Sequence, residues 1–206
     1  MDKSRRCHRG TTVVEGIVYC VIFGIIMTCI YWVLVASMRY YNIANYSVDL
    51  QQNGLSAMSS ISHDLSESRS STFTNCTSST TSGIIFASPR SSSGTLNYDS
   101  TTKLLQWTKW VCYYIGTTDG VKYLYRKEYY KSTGEATPVI PSSYSTAAQF
   151  AGDSSLPRKT VAKNIQQIQA ELYSDSSVGL RLTFDKSPST DKGNSLELVT
   201  RVKLTN

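Results

Sequence analysis

Between Glu15 and Arg39 the chain runs for 23 residues without a charged side chain. A helix of that length spans about 35 Å, enough to cross a hydrocarbon core of roughly 30 Å. This run predicts a membrane-spanning helix near the N-terminus. Lys3, Arg5, Arg6 and Arg9 precede it, so the positive-inside rule keeps the N-terminus cytoplasmic and sends the following chain across. Tyr31, Trp32, Tyr40 and Tyr41 fall near its outer end, where interfacial aromatics are favoured.

Three readings fit an apolar run at this place. A cleaved secretory signal would use Val35-Ala36-Ser37, but the run exceeds the usual apolar length of such signals. A plain single-pass anchor fits the length. Neither accounts for Glu15, a carboxylate at the mouth of a membrane helix, where charge is costly. The third reading takes in the whole pattern: basic residues, Gly10, a short uncharged stretch, Glu15 and then the long apolar helix. This pattern resembles the type IV prepilin signal. The resemblance implies that a membrane prepilin peptidase cuts after Gly10 and methylates the new N-terminus at Thr11. It also implies that Glu15 is the acid of the family, pairing with the N-terminal amine of a neighbouring subunit during assembly. The family usually has Phe where this chain has Thr11, a departure that fits a minor subunit.

No proline occurs before Pro89, so helix can continue past the membrane to about Arg69. Leu55, Met58, Ile61, Ser62 and Leu65 recur at three- and four-residue spacing and predict one buried face. Gly54 marks a weak point and a candidate bend. Ser62-His63-Asp64 invites a catalytic reading, but adjacent helical side chains point about 100° apart and cannot form a triad by themselves.

Beyond the helix the pattern changes to short β-type runs. Residues 66–82 are rich in Ser and Thr and read as a loop. Ile84-Ile85-Phe86-Ala87 and Leu104-Leu105-Gln106-Trp107 read as strands. Trp110 to Ile115 and Val121 to Tyr129 flank Asp119-Gly120, a turn pair that predicts a hairpin. Residues 165–173 fit strand or helix equally. Residues 178–184 and 196–204 alternate as half-buried antiparallel strands. Residues 131–159 hold three of the five prolines and read as a long loop. The fold class expected is α+β and pilin-like. Residues 1–10 form a leader, 11–38 a transmembrane helix, 39–70 its amphipathic continuation and 71–206 an exported β-rich head packed on that helix.

Several short runs resemble the pseudopilin J and PilW-like minor pilins. They are Ile61-Ser62-His63-Asp64-Leu65, Leu124-Tyr125-Arg126, Val161-Ala162-Lys163-Asn164-Ile165 and Arg201-Val202-Lys203-Leu204. The resemblance implies a structural subunit of a type IV pilus or type II secretion filament. Its partners would be the prepilin peptidase/methyltransferase, other pilin or pseudopilin subunits and inner-membrane lipid. It implies a single pass through the cytoplasmic membrane, a head outside it and a place in the filament after assembly. The alternative is a membrane-anchored extracellular binding or adhesion protein outside any filament.

Composition narrows the remaining classes. The net charge is +6, yet four basic residues lie in the first nine positions and residues 11–206 carry only +3. No basic stripe is left to drive phosphate binding, so no nucleic-acid partner is expected. Two histidines rule out a His-rich metal site. No GxSxG, HExxH, paired CxxC or phosphate loop is present, so neither catalytic residues nor a cofactor are expected. Of the five cysteines, Cys7 belongs to the leader, and Cys20 and Cys29 to the membrane helix. Cys76 and Cys112 alone lie in the head. An oxidising exterior favours a disulfide between them, worth roughly 4 kcal/mol; two free buried thiols are the other reading.

Overall fold

The computed structural model describes residues 12–77, 81–186 and 194–205. Helix α1 runs from Val13 to Ser66, as the apolar run and its amphipathic continuation predict. The described residues fall into two units, divided between Tyr46 and Ser47. The compact unit therefore begins inside the helix, well before residue 71.

In the first unit α1 is exposed almost throughout, with Ile17, Phe23, Ile26, Tyr31, Trp32 and Leu34 all bare. It is long and apolar enough to cross a membrane. Its hydroxyls are internally satisfied: Thr28 Oγ1 donates to the Gly24 carbonyl at 2.8 Å and Ser37 Oγ to the Val33 carbonyl at 2.8 Å. Such back-bonding removes the bare donors that lipid penalises.

In the second unit residues 47–66 of α1 lie against two antiparallel sheets. The first holds β1 (Thr74–Thr77), β2 (Ser82–Ser88), β3 (Trp107–Thr118), β4 (Val121–Glu135) and β5 (Arg158–Lys163) in sequence order. The second holds β6 (Ile165–Leu172), β7 (Ser177–Lys186) and β8 (Asn194–Lys203). The β3–β4 hairpin turns on Asp119 and Gly120, both at positive φ (52° and 75°), as a two-residue turn of matching twist requires. One residue, Asn164 at φ 61°, carries the chain from the first sheet to the second; Asn tolerates this left-handed conformation better than most residues. The 165–173 stretch thereby resolves as strand, and β6 lies against β2, β3 and β4.

One core joins all three layers. The helix contributes Leu50, Ala57, Met58, Ile61 and Leu65; the first sheet Ile84, Phe86, Val111, Tyr113 and Leu124; the second Ile168, Leu180, Leu182 and Phe184. Met58, Ile61 and Leu65 of the expected stripe are buried, and Leu55 is the exception. Leu55 is 61% exposed, and Gly54 faces inward instead. A Cβ at Gly54 would stand 2.7 Å from Leu198 Cδ1 and 3.3 Å from Phe184 Cε2. Gly54 is thus a site of close helix–sheet approach within an unbroken helix, and not a bend.

The opposite face of the first sheet is also buried. Residues 131–159 are less of a loop than expected: β4 extends to Glu135, and Ala147–Gly152 forms a short helix, α2. Phe150 and Ala147 of α2 cover Trp110, Cys112, Tyr114 and Tyr125. The Tyr144 ring lies 4.4 Å from Tyr129 and 4.9 Å from Phe150. The aromatic hairpin face is therefore ordinary core beneath α2. Because both faces of the sheet are covered, β3 reads as a nearly continuous apolar run.

Thr205 closes the C-terminal end of α1. Its backbone N–H donates to the Ser68 carbonyl and its hydroxyl to the Ser66 carbonyl, both at 2.9 Å. These bonds satisfy carbonyls at and just beyond the end of the helix.

Candidate functional site

Asp64 sits one residue before the core position Leu65, on the flank of the helix that faces β3 and β4. Its Oδ2 accepts from Tyr113 OH at 2.7 Å and from Arg126 Nε at 2.8 Å. Arg126 Nε also lies 3.1 Å from Tyr113 OH. Arg126 then reaches Glu128 Oε1 at 2.5 Å, and Lys109 Nζ meets the same oxygen at 2.9 Å. Tyr130 OH donates to the other Glu128 oxygen. Just past the end of α1, Glu67 receives Arg90, and His63 Nδ1 stands 3.7 Å from Glu67 Oε1. Five of these residues, Lys109, Tyr113, Arg126, Glu128 and Tyr130, lie on one face of the hairpin. Strand alternation delivers them together to the helix.

The electrostatics describe a clamp. Tyr113 is fully buried; burial and then the Asp64 charge push its phenol well above its ordinary value. Burial works against the Arg126 charge, but Tyr113, Asp64 and Glu128 outweigh it and hold the guanidinium above its usual value. Burial likewise opposes ionisation of Glu128, and the hydrogen bonds from Tyr130 and Lys109 overcome it, leaving the carboxyl below 4.5. The Arg90 hydrogen bond lowers Glu67 in the same direction. Depressed carboxylates stabilise the fold above about pH 4.5, and that contribution is lost as the pH falls through their native values. Each acid is already answered by a base. The arrangement fixes the helix to the sheet.

A second tether holds α2. Lys127 is buried, and its Nζ donates to the carbonyls of Phe150 (2.8 Å), Ala151 (3.2 Å) and Asp153 (2.6 Å). Three acceptors satisfy the ammonium, although burial lowers its pKa. Thr146 and Gln149 complete a capping box at the other end of α2.

The residues singled out from the sequence fare differently. Gly10 and Thr11 lie outside the described residues. Glu15 is exposed in the first turn of α1. Cys76 and Cys112 are free thiols, not a disulfide. The reason is register: Cys76 pairs with Gly83, and Cys112 with Ile85, so β2 lies between them. Two strand spacings are about 9.5 Å, beyond the roughly 7 Å that a disulfide can bridge. Burial raises both thiols, Cys112 far more than Cys76, which keeps them protonated and slow to oxidise. Alkylation followed by peptide mass mapping is expected to label Cys76 slowly in the native protein and Cys112 only after denaturation. A Cys76–Cys112 linked peptide in an unreduced digest would contradict the register. Among the described residues, no group of three His, Cys, Asp or Glu side chains is placed to hold a metal ion.

No protein-family model, curated protein or solved structure matches this chain.

Proposed function

We propose that the chain is a minor pilin or pseudopilin, a structural subunit of a type IV pilus or type II secretion filament, processed between Gly10 and Thr11. The observation that carries the reading is a single helix, α1, with two kinds of surface. Residues 16–38 are uncharged and almost wholly exposed, whereas Leu50, Ala57, Ile61 and Leu65 are core residues of a β-rich unit. A bare apolar helix must be covered by lipid or by other chains. Small residues at Gly16 and Gly24, whose Cβ positions meet no other atom, permit close approach of a neighbouring helix. The Asp64–Arg126 clamp then has a plain mechanical use: it fixes the helix to the head, so a force on one is passed to the other. The partners are the prepilin peptidase, fellow subunits and the inner membrane.

N-terminal sequencing and intact mass of the membrane-extracted protein test the processing step. The expected chain starts at Thr11, with one methyl group on its amine. A start after Ser37, or an intact Met1, would remove the filament reading. In the same reading Glu15→Gln leaves membrane insertion unchanged and strongly reduces incorporation into filaments, scored by shearing and immunoblotting. The logic is that a carboxylate and an ammonium are each costly alone in lipid and far less so together.

A further inference from the structure

The first sheet ends at β5, whose outer row of backbone N–H and C=O groups has no strand partner among the described residues. An unpartnered edge is a template for another extended chain. This edge is chemically biased. Arg158, Lys159 and Lys163 are exposed along it, and β5 contains no acid. Lys163 meets Asp49 at 3.3 Å, and the Arg158 guanidinium lies 4.3 Å over the Tyr125 ring. Lys159 enters no salt bridge among the described residues.

A cleft of about 380 Å³ adjoins the edge. Ser56, Ser60 and His63 of the helix line one side and Lys159 of β5 the other, and the paired Asp64 and Arg126 line it as well, so Lys159 is its one cation outside a salt bridge among the described residues. The β4–β5 register slips at Val161: Leu124 pairs with Ala162, but Tyr125 with Thr160. The extra residue of such a bulge bends a strand locally and re-aims its side chains, here beside the cleft.

The other edges lack this combination. On β6, Asn75 Nδ2 already donates to the Ala170 carbonyl at 2.7 Å. On β8, Glu197 is matched by Arg181 and Arg201 by Asp175. A second copy of β5 laid on the first would bring two cationic strands together, which is unfavourable. An acidic strand faces no such penalty.

We propose that the edge of β5 docks an extended acidic segment of another protein, added as a sixth strand with a carboxylate side chain placed beside Lys159. The backbone would supply affinity and the alternate side chains specificity. The inference stands on the second unit alone and does not depend on the filament reading.

The test uses the full chain in detergent micelles, with hydrogen exchange read over residues 158–163. The probe is the capped hexapeptide of alternating Val and Glu; its Val/Lys counterpart, glutarate and anionic phospholipid vesicles are the comparisons. The Val/Glu peptide should slow exchange in β5, and added salt should weaken it. Lys159→Gln, at an exposed position that leaves the fold intact, should weaken binding about fivefold, and Lys159→Arg should restore it. Equal binding of the Val/Lys peptide, or binding without protection of β5, overturns the proposal. So does Lys159-dependent binding of glutarate where the peptide fails, which would mark a small-anion site. Vesicles that protect β5 when the peptide does not would mark a lipid-facing surface and overturn it equally.

Discussion

Arg126→Ala is expected to lower the unfolding free energy of the protein by about 3 kcal/mol, as measured by chemical denaturation of the membrane-extracted chain. The side chains of Arg126 and Asp64 are 19% and 21% exposed, so the loss falls at the low end of the range for a buried pair. Removing the guanidinium strands the Asp64 carboxylate and leaves Glu128 with Lys109 as its remaining base. Asp64→Ala should cost less, because Glu128 still answers Arg126. The double variant should lose clearly less than the sum of the two. Arg126→Lys should recover only part of the loss: one ammonium cannot reach Asp64, Tyr113 and Glu128 in the fork that the guanidinium makes. Strict additivity of Arg126→Ala and Asp64→Ala would show that the pair is not a coupled clamp.

The second large effect is local. Phe150→Ala removes a fully buried ring from the layer over the outer sheet face, a change of the kind that costs about 3–5 kcal/mol in a packed core. The short α2, the Tyr144 ring and the Lys127 bonds hold that segment down with no strand pairing within residues 136–157, so the loss should appear as local opening more than as global unfolding. Limited proteolysis should cut within residues 136–157 while the rest of the fold survives. Wild-type protease resistance in that segment would mean that Phe150 does not fasten it.

Much of this architecture could be read from the chain itself. The uncharged run after Glu15 predicted the apolar helix, and Asp119-Gly120 placed the hairpin, because both are local signals. The strand at residues 165–172 was ambiguous for a physical reason. Its bulge near Gln167 interrupts the two-residue period, and its buried positions, Ile165, Ile168 and Ala170, are spaced three and then two apart, so they suit helix as well as strand. Helix α2 is six residues long, too short for periodicity to show. Its capping box, Thr146 followed by Gln149, was the one available sign. The inward turn of Gly54 could not be foreseen, because it depends on Leu198 and Phe184 arriving from far along the chain. For the same reason Asp64 and Arg126, each noted within a short motif, gave no hint that they meet. The cysteine pairing failed because compartment chemistry says nothing about which strand lies between two thiols.

The bonds from Thr205 to the end of α1 also set a schedule. Ser66 and Thr205 are 139 residues apart, and the strands that cover Ile61 and Leu65 include the last ones in the described chain. The helical segment is synthesised first, yet its inner face stays uncovered until β7 and β8 arrive. Closing such long loops is slow compared with local pairing. The hairpin of β3 and β4 can therefore form early, but the helix can be locked to its sheets only after Thr205 has been made and has reached it. A chain halted before β7 and β8 are made would display Leu50, Ile61 and Leu65 to any chaperone or protease at hand, which makes the arrival of those strands the checkpoint for folding.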